Sequence, residues 1–73
     1  MDVKEVNGSY ALIMLTSDDV MVLCNALNEV CHALDIPEFS TRMGVGQEEA
    51  LGRLRTLNAL YSKMQNALEA TSP

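Results

Sequence analysis

The sequence predicts an α+β domain: a short N-terminal β-hairpin packed on two antiparallel α-helices in the order ββαα, joined into a helical dimer. Three observations carry this. Asn7-Gly8 sits between Val3-Lys4-Glu5-Val6 and the apolar run Tyr10 to Leu15, and Asn-Gly is the strongest short-range hairpin signal because a type I′ turn wants positive φ at both central residues. Two longer stretches, separated by Pro37 and by Gly44-Val45-Gly46, repeat apolar residues at helical spacing. The chain has 73 residues, 48% of them hydrophobic, which makes one domain that is too apolar to stay disordered.

The hairpin is expected over residues 3–15. With Asn7-Gly8 as the turn, Val6 lies opposite Ser9 and Val3 opposite Leu12. The second strand, from Ala11 to Leu15, is apolar on both faces. A lone two-stranded ribbon is marginal in water, so it must pack on something. Thr16-Ser17-Asp18-Asp19 reads as a helix start, with Ser17 as the cap and two acids where the helix dipole favours them. The first helix is expected over 18–34, with Val20, Leu23, Leu27, Val30 and Leu34 on its apolar face and Ala26 on the flank. Asp18, Asn25, Asn28, Glu29 and His32 share the other face. Pro37 ends it. A short helical turn follows over 37–43, capped by Asp35 or Ile36, closed by Gly44 and carrying Phe39 as a plug for the helix pair. The second long helix is expected over 47–69, and residues 70–73 form a frayed tail.

Within that second helix Ala50, Leu54, Leu57, Tyr61, Met64 and Leu68 follow a heptad rhythm. The first helix is about 25 Å long and the second about 34 Å at 1.5 Å per residue. An antiparallel pair therefore leaves Met64 and Leu68 beyond the end of the first helix. Met21 and Val22 fall among the polar residues of the first helix. Met21, Val22, Leu54, Leu57, Tyr61, Met64 and Leu68 are thus the candidate partner or dimer interface, and a homodimer is expected.

The chemistry-bearing residues argue against a reaction centre. Cys24 and Cys31 lie about 10.5 Å apart along a helix axis, beyond the roughly 7 Å that a disulfide tolerates. With His32 they are the only soft ligands in the chain, fewer than the four that structural zinc takes, and His32 points about 100° away from Cys31. Free cysteines beside an apolar face behave as small hydrophobes. No Lys or Arg is near either in sequence to favour a thiolate. The acid pairs Asp18-Asp19 and Glu48-Glu49 are explained by helix starts, and Gly44-Val45-Gly46 lacks the Lys and Ser/Thr of a phosphate loop. No catalytic residue, metal or cofactor is expected, and a chain this small has little room for a ligand pocket.

Net charge is −5. Lys4, Arg42, Arg53, Arg55 and Lys63 are spread too thinly for direct nucleic-acid binding. Acidity instead suits a basic protein partner. No segment reads as a signal peptide or membrane span, so a cytoplasmic setting is expected. Leu23-Cys24-Asn25-Ala26-Leu27-Asn28-Glu29-Val30-Cys31, Asp35-Ile36-Pro37-Glu38-Phe39, Thr41-Arg42-Met43-Gly44 and Gln47-Glu48-Glu49 together resemble a segment of small uncharacterised bacterial proteins. The resemblance covers about residues 12–60. It implies a bacterial or phage setting and a hairpin followed by helices, and it brings no activity to any residue. The functional expectation is a small acidic protein-protein interaction module, an inhibitor or immunity-type protein masking a basic surface on a toxin or nucleic-acid enzyme. The alternative is a self-assembling structural or accessory subunit with no foreign target.

Overall fold

A computed structural model describes residues 1–70; Thr71, Ser72 and Pro73, most of the expected frayed tail, lie outside the described residues. Strand β1 (Asp2–Val6) pairs antiparallel with β2 (Ala11–Met14). Helix α1 (Ser17–Asn28) continues into one π turn over Glu29–Ala33; α2 (Phe39–Met43) is short, and α3 (Gln47–Ala70) is long. The α+β class stands, with a two-stranded antiparallel hairpin followed by helices. No helix among the described residues is long and apolar enough to cross a membrane.

The hairpin turns one residue later than expected. Val6 pairs with Ala11 and Val3 with Ile13, not with Ser9 and Leu12. Among the described residues only Glu38 and Gly44 have positive φ, so Asn7-Gly8 does not form a type I′ turn. Asn7 acts through its side chain instead: Oδ1 accepts the Ser9 and Tyr10 amides at 2.8 and 3.0 Å. This Asx-type closure moves the bend onto Gly8-Ser9. Lys4 is an extra residue in β1, because Val3 opposes Ile13 while Glu5 opposes Leu12. The bulge has a consequence for the faces. Val3 and Val6, an odd number of residues apart, come to share one side of the ribbon with Ala11 and Ile13.

Thr16, not Ser17, caps α1. Its hydroxyl accepts the Asp19 amide at 3.2 Å, and Asp19 Oδ2 accepts the Thr16 amide at 3.0 Å, closing a capping box. The Met1 amino group donates to the same Oδ2 at 2.9 Å. That ion pair, then the two Thr16 bonds, hold the Asp19 carboxyl below its ordinary value of 3.8.

The first helix ends sooner than expected. The π turn closes on the Leu34 amide, which donates to the Glu29 carbonyl at 2.9 Å, and Leu34 itself is extended. Leu34 is therefore outside the helix and exposed, not on the apolar face. Ending here leaves the Cys31 carbonyl without its helical donor. Gln47 Nε2 donates to it at 3.1 Å, tying the end of the first helix to the start of α3. Glu38, rather than Asp35 or Ile36, precedes α2, in a left-handed conformation (φ 54°) that disfavours a residue with a Cβ. Gly44 closes α2 at φ 82°, the conformation glycine supplies without a steric cost.

The core is small: Val20, Cys24, Cys31, Ala50 and Leu54 are its buried residues. In α1 and the π turn they follow the same 4-3-4 rhythm as α3, running Val20, Cys24, Leu27, Cys31. The two cysteines thus occupy the centre of the helix contact and not its flank. Leu23, Leu27, Val30, Leu57, Tyr61 and Met64 are half-buried around it. The expectation that the ribbon packs on the helices fails, because every strand residue is exposed. The radius of gyration is 14.6 Å and the extents are 49 × 32 × 15 Å, where a compact chain of this length has a radius of about 11 Å.

Three stability outcomes follow. Thr16→Ala lowers unfolding free energy by about 1 kcal/mol, and Glu38→Gly raises it by about 0.5–1 kcal/mol by relieving the left-handed backbone; urea titration reads both. Asp19 has a lowered folded value, so the stability it adds is complete above pH 3.8 and is lost as pH falls through that lower value. The acid limb of the melting curve should therefore be shallower in Asp19→Asn than in the parent.

Candidate interaction surface

Three surfaces are open to a ligand or partner. The first is the ribbon. One face carries only Val3, Val6, Ala11 and Ile13, and the other carries Asp2, Glu5, Leu12 and Met14. Val6 is 70% and Val3 57% exposed, and Tyr10, Leu12, Ile13 and Met14 stand in solvent with them. The two edges differ. β1 has Asp2, Lys4 and Glu5, with Lys4 Nζ 2.8 Å from Asp2 Oδ2, and it is bent by the bulge. Bulges and charges of this kind blunt a strand edge. β2 is Ala-Leu-Ile-Met, with no charge and no proline.

The second is the outer arc of α1. Met21 and Val22 are exposed there, as expected, beside Asp18, Asn25 and Glu29. This arc is both apolar and acidic.

The third is a groove between α1 and α3 of about 550 Å³, lined by Leu27, Glu49, Gly52, Arg53, Thr56 and Leu57. It is a surface groove, largely open to solvent, and not an enclosed pocket. Gly52 and Thr56 keep it wide. Gly52 lies in its lining and not on the far, solvent side of the helix. Arg53 is held along one wall by the Glu49 carbonyl at 3.2 Å and the Glu49 carboxylate at 3.6 Å, and the Thr56 hydroxyl donates to the Gly52 carbonyl at 3.2 Å.

The α3 seam divides along its length. Leu54 is 4% exposed and Leu68 63%, with Leu57, Tyr61 and Met64 between them. Leu54 is therefore committed to the contact with α1 and is not open to a second chain. Leu57 serves both the core rim and the groove. The sequence shows a second strand apolar on both faces, but not which residues of the first strand join each face, because the bulge at Lys4 breaks the two-residue alternation.

Cys24 and Cys31 are buried thiols, and among the described residues no three His, Cys, Asp or Glu side chains converge on one point. Compared with known families, curated proteins and solved structures, the chain matches none.

The groove generates one outcome. A Cβ on Gly52 would meet only Arg55 Nη2, at 3.9 Å, so Gly52→Ala fits and raises stability by up to about 1 kcal/mol through helix propensity. Thermal denaturation reads the gain.

Proposed function

We propose that this chain is a small acidic protein-protein interaction module that works as a homodimer. The observation that carries this is surface. The chain exposes 5612 Å², where a compact monomer of 8.0 kDa exposes about 4,450 Å². The excess of about 1,150 Å² is more than the roughly 800 Å² that each partner contributes to a standard protein interface. Most of the large apolar side chains left exposed, among them Val3, Val6, Leu12, Ile13, Met21 and Val22, lie on the ribbon and on α1.

Charge supports the inhibitor or immunity-type version, in which the module masks a basic surface on a toxin or nucleic-acid enzyme in a bacterial or phage setting. Residues 5–41 carry Glu5, Asp18, Asp19, Glu29, Asp35 and Glu38 and no Lys or Arg. The outer arc of α1 therefore offers Met21 and Val22 inside a field of one sign, which steers a basic partner and gives it something to bury. The alternative is a purely self-assembling structural or accessory subunit. It needs the surface excess but not the charge asymmetry.

Two measurements separate these readings. Sedimentation should give a dimer at micromolar concentration; a monomer at every concentration removes self-association from the account. Capture of a basic protein from the source cell should weaken steeply with salt and with Asp18→Lys/Glu29→Lys. Capture that ignores both leaves only the self-assembling reading.

A further inference from the structure

We propose that two copies of this chain join along β2, giving a twofold-symmetric, four-stranded antiparallel sheet in the order β1-β2-β2-β1. The inference rests on the self-association argued above and specifies its seam. Four features of the ribbon lead to it.

The first is the direction of free backbone groups. The Asn7 amide donates to the Tyr10 carbonyl at 3.0 Å. By strand alternation, Tyr10, Leu12 and Met14 turn their backbone groups toward β1, while Ala11 and Ile13 turn theirs to the open edge. The second is the contrast between edges: β1 is bulged and charged, whereas β2 has neither defence. The third is like-charge repulsion. Each chain is at −5, and a β2 seam puts Asp2 and Glu5 of both chains on the outer strands. The fourth is the apolar face. A two-stranded ribbon is marginal alone, whereas three or more strands with one hydrophobic face are not.

Register follows from the faces. A one-residue slip would set the Val3, Val6, Ala11 and Ile13 face of one chain beside the Asp2 and Glu5 face of the other. Registers that oppose residues of the same face give one continuous apolar face. Of these, Leu12 against Leu12 or Ile13 against Ile13 across the axis pairs the whole of β2, whereas Ala11 against Ala11 would set Ile13 and Met14 against the Gly8-Ser9 bend. Such an interface is isologous and closes at two chains.

Cysteines introduced one at a time, beside the buried Cys24 and Cys31, test the seam. In an antiparallel pair the directly opposed Cα atoms are about 4.5–5.5 Å apart, within disulfide reach. Under mild oxidation L12C or I13C should run as a covalent dimer on a non-reducing gel. V6C, on the outer strand, should not. A11P removes an outward amide without touching the ladder to β1, so it should sediment as a monomer with its helical circular dichroism unchanged. If the parent is a dimer but neither L12C nor I13C cross-links, or A11P stays dimeric, the β2 seam is overturned and self-association stands. If the parent is monomeric throughout, both fall.

Discussion

The contact between α1 and α3 is the constraint on which the rest of the molecule depends. Its buried residues are Val20, Cys24, Cys31, Ala50 and Leu54, and four of the five are small. Side chains of this size remove little apolar area from water when they are buried. A core of that size cannot also cover a hairpin. The helix pair closes on itself, with Gln47 satisfying the carbonyl left open at Cys31, and the ribbon is left standing off it.

The ribbon is therefore tethered more than packed. Its base is held by the Met1 amino group at Asp19, the same carboxylate that completes the α1 capping box with Thr16. This fixes where the hairpin starts without burying either of its faces. A β-sheet left this open is normally defended at its edges. Here one edge carries the bulge at Lys4 with Asp2 and Glu5, and the other carries nothing but aliphatic side chains and Met14. The asymmetry, together with a radius of gyration of 14.6 Å, is the ground for the proposed pairing along β2, since a domain this small has little core of its own.

The sequence made the fold class and both long helices legible, because periodicity reports which residues share a face. It did not report what covers that face. Of the heptad run, Leu54, Leu57, Tyr61, Met64 and Leu68 are candidate interface residues on periodicity alone, yet Leu54 lies inside the chain's own helix pair. Cys24 and Cys31 read as small hydrophobes on the flank of the apolar face; set in register as Val20, Cys24, Leu27, Cys31, they show the matching seam. Thr16-Ser17-Asp18-Asp19 carried the capping-box spacing, and only the choice of Ser17 hid it. The π turn that ends the first helix, the left-handed Glu38 and the bulge at Lys4 are set by tertiary closure, and no local propensity announces them. The two apolar faces of the second strand are legible, but the grouping of Val3 with Val6 is not, since a bulge inverts every side chain on one side of it.

The central claim is that the helix pair is complete in one chain while the ribbon is not. Native-state hydrogen exchange at two protein concentrations tests it most directly. The account predicts that the Ala11 and Ile13 amides gain protection as concentration rises, while amides around Val20 and Leu54 exchange no faster on dilution to monomer than global unfolding allows. Ribbon amides protected as strongly as the helix core at the lowest concentration would contradict it.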